Sequence, residues 1–232
     1  MTRRFGVSTN LYRHQRLMRE HLVEVASFGF ETVEVAAIRP HLDFRNPVVV
    51  SDLLAWLAEA RLDLNGLHVP VGTSSDDLDA ALFVARQIPM HVLTLQVARA
   101  KESARDVDRL LELAQPLDVT IAIDSNSDAL SPANSLVHFV EGFESPVGIA
   151  LDLAKAQRDG DVIDTIETVS EHLVSVHTPL ENRIDWPSTL TTVQKVGYDG
   201  PMIFDLAARG SSKELLQLAR KQRERMEQLL RM

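Results

Sequence analysis

Short apolar runs rich in Val, Ile and Leu recur along the chain, and segments with helical spacing of apolar positions separate them. The runs are RFGVS (4–8), TVEVAA (32–37), LNGLHVP (64–70), HVLTLQVA (91–98), VTIAID (119–124), VGIALD (147–152), LVSVHT (173–178) and PMIFDLA (201–207). Several are apolar at consecutive rather than alternate positions, which predicts strands covered on both faces. Strands alternating with helices predict a parallel sheet. Eight such units fit an α/β fold, a single (β/α)8 TIM barrel spanning residues 1–232. The alternative is an open doubly wound sheet, but no Gly-rich dinucleotide fingerprint follows RFGVS, so no nucleotide cofactor is expected.

Helix signals support the same division. Ser51 precedes LLAWLAEARL, Ser74 and Ser75 precede DDLDAALFVAR, and Ser131 precedes a proline suited to a first turn. In the last segment, Ser211 and Glu214 have capping-box spacing. Leu215, Leu218, Ala219 and Met226 there suggest an inward stripe.

Composition narrows the classes. A chain of 232 residues that is 45% hydrophobic can bury one sizeable core, and no low-complexity linker divides it. A formal charge of −9 disfavours a nucleic-acid partner. Zero cysteines exclude disulfides and thiolate metal sites. MTRRFGVSTN lacks the apolar core of a signal peptide, and no apolar run approaches the roughly 20 residues of a spanning helix. A soluble cytoplasmic protein with no membrane partner is the expectation.

In a parallel barrel every strand C-terminus opens on one face, so polar residues that end apolar strands converge. His68, Gln96, Asp124, Asp152, His177 and Asp205 end strands three to eight in turn, and Glu34 lies within strand two. Three carboxylates and an imidazole can bind a divalent cation, with oxygen ligands suiting Mn or Mg and histidine shifting preference toward Mn, Co or Zn. Such an ion polarises a carbonyl, and a flanking carboxylate would be the base when a carbon acid loses its proton.

The motifs HVP at 68, IAIDSN at 121, ALDLAKA at 150, VSVHTP at 174 and IDWPSTLTTVQKVGYDGPMIFDLA at 184 resemble the xylose-isomerase-like barrel superfamily. That superfamily includes sugar isomerases, sugar epimerases and apurinic endonucleases. The resemblance implies a metal held by Asp124, Asp152, His177 and Asp205, with Arg183, six residues after His177, binding substrate. It implies Asp124 and Asp205 as proton carriers. Lys155 stands where such proteins usually have His, and Asp124 and Asp205 stand where they usually have Glu. Each shorter side chain draws its carboxylate back by about 1.5 Å, a displacement of the size that costs on the order of 10²-fold in rate. The segment after strand seven lacks the second Asp and His of endonuclease-like relatives.

Each assignment has a plainer reading. The strand-end carboxylates can form a hydrogen-bonded polar rim, and His68 can either line a substrate cavity or bond to backbone. Lys155 can contact substrate oxygens or pair with Asp152 or Asp124. Arg183 and Arg209 can hold a phosphate or carboxylate, and Glu34 is a pocket acid or an interior partner of a cation. His14 and Tyr12 can close over a ligand from the first strand-helix loop. The expected activity is divalent-metal-assisted isomerisation or epimerisation of a sugar or sugar derivative, by proton abstraction next to a carbonyl. The alternative is a catalytically altered barrel that binds a small anionic metabolite.

Overall fold

A computed structural model describes residues 4–98, 100–126, 130–180, 183–206 and 210–231. All eight runs form strands: β1 (Phe5–Ser8), β2 (Thr32–Ala36), β3 (Asp63–Val69), β4 (Val92–Leu95), β5 (Thr120–Asp124), β6 (Gly148–Asp152), β7 (Leu173–Thr178) and β8 (Met202–Phe204). Each pairs in parallel with its neighbours, and β8 pairs back onto β1, so the sheet closes in sequence order. The fold is the expected (β/α)8 TIM barrel. β4 and β8 stop short of their apolar runs. One further hydrogen bond each, Gln96 N to Val69 O (3.0 Å) and Asp205 N to Thr178 O (3.2 Å), still ties the next residue to the adjacent strand.

Nine α-helices occur among the described residues rather than eight: α1 (Arg19–Ser27), α2 (Pro47–Ala60), α3 (Ser75–Phe83), α4 (Ala100–Ala114), α5 (Ala133–Val140), α6 (Leu153–Asp159), α7 (Val162–Val169), α8 (Trp186–Lys195) and α9 (Ser212–Leu229). The extra helix arises between β6 and β7. Gly160 ends α6, and Asp161 Oδ1 then accepts from Ile163 N (2.7 Å) and Asp164 N (3.2 Å) to start α7. None of these helices is long and apolar enough to cross a membrane.

Two of the expected helix starts move. Ser51 lies inside α2, because Asn46 caps the helix through Val48 N and Pro47 occupies its first turn. Ser131 does not cap α5; Pro132 is the N-cap residue, and the Ser131 hydroxyl donates to Asp159 instead. Ser74 and the Ser211–Glu214 capping box do start α3 and α9. On α9 the inward stripe holds Leu215, Leu216, Ala219 and Met226, while Leu218 is exposed. Two residues before Gln96, Asp124 and Asp152, on the same strand faces, are Thr94, Ala122 and Ala150. Ala122 and Ala150 pack with Val92 in a small cluster of their own, separate from the larger core formed with the helices.

Strand β3 approaches β4 closely at Gly66, whose register partner is Val92. A Cβ at this position would collide with the Val92 carbonyl, which is backbone and cannot rotate away. Gly66→Ala should therefore destabilise the barrel by about 1–3 kcal/mol in urea denaturation. Gly160→Ala, where a Cβ meets nothing within 4 Å, should stay within about 0.5 kcal/mol of wild type.

Candidate active site at the strand C-termini

Closure of a parallel barrel brings the strand ends together, and a cavity of about 250 Å³ opens there. Glu34, His68, Asp124, Asp152, His177 and Asp205 all line it. Gln96, Asn126, Asn10 and Arg13 complete much of the polar wall. Six of the eight candidate site residues thus share one space; Lys155 and Arg183 are the other two.

Two ion pairs organise the floor. His177 Nε2 donates to Glu34 Oε2 at 2.9 Å, joining β7 to β2, and both side chains are buried. His68 Nε2 donates to Asp124 Oδ2 at 2.9 Å, joining β3 to β5. The two imidazoles meet edge to face with ring centroids 5.7 Å apart, so the pairs form one cluster.

Burial opposes charge on all four groups, yet the partners outweigh it. For His177, burial pulls the pKa down, but Glu34, aided by Asp124 and Asp205, pushes it up to about 10. For Glu34, burial pushes upward and His177 overcomes it, leaving the carboxyl below its ordinary range. His68 is raised because Asp124 outweighs desolvation, and Asp124 is lowered because His68, with His177 and Asn126 N–H, outweighs its burial. Asp152 behaves differently. Desolvation dominates there and raises its pKa, despite a hydrogen bond from Lys155 N (2.8 Å) that makes Asp152 the N-cap of α6.

Asp205 Oδ1 accepts from Asn10 Nδ2 at 3.2 Å, which couples the end of β8 to the segment after β1. Lys155 is buried, but its ammonium lies 2.6 Å from Asp159 Oδ2, one helical turn on, and it lines a smaller neighbouring pocket. The pairing expected with Asp152 or Asp124 is thus taken by Asp159. Arg183 is exposed in the turn after β7, and Arg209 lies outside the described residues.

No protein-family model matches the sequence, and no curated protein matches it. Solved structures do match. A xylose isomerase-like TIM barrel protein from Mycobacterium smegmatis, in complex with magnesium, superposes with a TM-score of 0.83 at 12% identity, covering 99% of this chain and 97% of that one. D-allulose 3-epimerase from Methylomonas sp. gives 0.82 at 16% identity, covering 99% of both chains. The 3-keto-D-glucoside 4-epimerase from E. coli gives 0.75 at 11% identity, covering 96% of this chain and 99% of that one. The fold is that of the xylose isomerase-like barrels. At such identities the likeness extends to the backbone alone, and chemistry has to be read from the side chains.

On this xylose isomerase-like frame, the quartet Asp124, Asp152, His177 and Asp205 lines one cavity but is not gathered as a ligand cluster. Among the described residues no group of three or more His, Asp or Glu side chains is arranged to hold an ion. The donors are committed elsewhere. His177 Nε2 is bonded to Glu34, Asp124 accepts from both His68 and Asn126 N, and Asp152 accepts from Lys155 N. As placed, this donor set does not fit a divalent cation: His177 Nε2 is turned to Glu34, and the short aspartates are held back by their own hydrogen-bond partners.

The pattern of strand ends does not reveal the segment after β1. Asn10 and Arg13 reach the cavity from there, and a buried clamp holds them in place. Thr9 Oγ1 accepts from Ala36 N (3.0 Å) and donates to His41 Nε2 (3.0 Å), while His41 Nδ1 donates to Gln15 O (2.7 Å). Burial lowers the pKa of His41, consistent with this neutral tautomer. Tyr12, considered above as a ligand-covering residue, is instead buried and donates to Glu24 Oε2 at 2.7 Å. His14 is exposed and accepts from Arg13 Nε at 3.2 Å.

Removing one end of the Glu34–His177 pair leaves an uncompensated buried charge. Glu34→Gln should cost roughly 3 kcal/mol of stability near neutral pH and bring the His177 pKa down from about 10 toward its ordinary value, read by NMR titration of the imidazole. The sign of the pH dependence follows. A raised histidine pKa stabilises fully below the ordinary value of 6.5 and loses that contribution as pH rises through about 10. The stability gap between wild type and variant should therefore narrow over that window.

Proposed function

We propose that this protein is a sugar isomerase or epimerase that moves a proton on a carbon next to a carbonyl. The observation that carries the reading is the set of four carboxylates and two imidazoles lining one cavity at the catalytic face of the barrel. Carboxylates accept hydrogen bonds from hydroxyls and carboxamides both accept and donate them, so this wall suits a neutral polyhydroxylated ligand. Asp152 and Asp205, the carboxylates outside the two histidine pairs, disfavour a small anion, even with Arg13 at the rim. The folds of D-allulose 3-epimerase and the 3-keto-D-glucoside 4-epimerase lend the same reading support by analogy.

Within this reading Asp205 is the better placed of the two proposed proton carriers. Asp124 is buried with both oxygens bonded, whereas Asp205 is only partly buried and holds Asn10 through one oxygen. Asp205 takes the proton from carbon, and the enediolate oxygen develops charge beside the His68–Asp124 and His177–Glu34 pairs. Asp124 serves by orienting His68 through their 2.9 Å hydrogen bond. Asn10 and Asn126 bind substrate hydroxyls, while Lys155 and Arg183 do not line this cavity.

The test is solvent exchange. Incubation with ketohexoses and 3-keto glycosides in D2O, with EDTA and separately with added Mn²⁺, should place deuterium next to the carbonyl in at least one condition. Asp205→Asn should slow exchange by at least about 10²-fold while leaving the circular dichroism spectrum unchanged. Absence of exchange with every sugar in both conditions would refute the reading.

A further inference from the structure

His41 is an imidazole that the proposed reaction leaves unused. It lies between β2 and α2, is 0% exposed and does not line the cavity. Its hydrogen bonds run to both ends of one short loop. Nε2 meets Thr9 Oγ1 at 3.0 Å where the loop leaves β1, while Nδ1 meets Gln15 O and the His41 carbonyl meets Leu17 N, each at 2.7 Å, where the loop ends. Asn10 and Arg13, which line the cavity, lie between those anchors, and Asn10 Nδ2 donates to Asp205 Oδ1 at 3.2 Å.

The hydrogens of this clamp fall in one arrangement. Gln15 O only accepts, so Nδ1 carries the ring hydrogen and Nε2 offers its lone pair to the Thr9 hydroxyl. Thr9 Oγ1 also accepts from Ala36 N at 3.0 Å, just beyond the last β1–β2 register pair, Ser8–Glu34. A proton added at Nε2 would point at Oγ1, and the threonine hydrogen would lose its acceptor inside the fold. Among the described residues no carboxylate hydrogen-bonds the ring to offset the new charge. Glu24 holds Tyr12 and, with Glu20, acts on His21; Glu34 holds His177; Arg39 and Asp43 pair with each other at 3.8 Å; and Arg13 and Arg16 of the loop are exposed. His21, stacked on Tyr12, repels a second positive charge. Burial, aided by His21, therefore holds the His41 pKa below 6.5.

We propose that His41 is a positioning residue: it fixes the loop that carries Asn10, and through Asn10 the Asp205 carboxylate, and protonation of its ring releases that loop. This rests on the isomerase reading of the cavity, in which Asp205 takes the proton from carbon. The sign of the pH dependence follows from linkage. The unfolded chain takes up this proton first, so the clamp's contribution is whole above pH 6.5 and is lost as pH falls below it.

Two measurements test it. With whichever ketohexose or 3-keto glycoside exchanges in D2O, Thr9→Val should lower kcat by about 10-fold or more and move KM by less than about threefold, and Thr9→Ser, which keeps the hydroxyl, should restore kcat. In the wild type, hydrogen exchange followed by NMR should show the Ala36 amide protected above pH 6.5, with its protection factor falling by at least about 10-fold through the midpoint at which the His41 ring titrates while the β5 amides stay protected. An unchanged kcat in Thr9→Val, or a loss that Thr9→Ser does not restore, would overturn the positioning role. Ala36 protection that outlasts the His41 titration, or a ring that stays neutral until the whole barrel unfolds, would overturn the release, and both are read on the wild type even where Thr9→Val does not fold. A wild type that exchanges no sugar removes the isomerase reading, and the Ala36 protection then decides by itself whether His41 grips the loop.

Discussion

Glu34 and His177 come from strands separated in the ring by β8 and β1, and they meet in the closed interior at 2.9 Å. Neither charge is tenable there alone, since desolvating a lone ion costs several kcal/mol. Together they neutralise one another, and the adjoining His68–Asp124 pair repeats the solution between β3 and β5. The polar mouth depends on this pairing. It lets the barrel carry four paired ionisable groups at one end, Glu34, Asp124 and His177 buried and His68 partly so.

The frame that brings these groups together is generic, while the details that hold them are particular. Parallel closure places every strand end on one face, and register shifts occur in the β2–β3 pairing between Val33 and Glu34 and in the β6–β7 pairing between Ile149 and Ala150. Local devices then fix the outcome. Asp152 ends β6 and caps α6 at once, and Ser125 Oγ accepts the Asp152 N–H at 2.7 Å, linking the ends of β5 and β6. The same residues therefore serve helix initiation and cavity lining.

The strands were legible because consecutive apolar residues bounded by turns have few other uses, and polar residues interrupting those runs marked the cavity wall directly. Helix starts were less so. Ser51 resembled a cap, but Asn46 followed by Pro47 is the stronger signal, and Leu218 fell outside the apolar stripe because α9 seats Leu216 instead. Partners were the least visible. Glu34 and His177 are 143 positions apart, and nothing in either neighbourhood names the other. Asp159 was a readable exception: it lies four residues after Lys155, a spacing at which helical side chains meet. The segment after β1 carries no strand-end signature, so Asn10, Arg13 and the Thr9–His41 clamp emerged only from the three-dimensional arrangement.

That clamp has a kinetic side. Thr9 and His41 are fully buried and tie the segment after β1 to the end of β2 by one hydrogen bond and to the segment after β2 by two more, so the wall bearing Asn10 and Arg13 is set before any ligand arrives. A receptor whose competent form is its resting form loses no affinity to an unfavourable pre-equilibrium, and encounter need not wait for a rearrangement on that side. Capture there should be governed by diffusion and desolvation, and selectivity by which molecules fit a wall that does not yield.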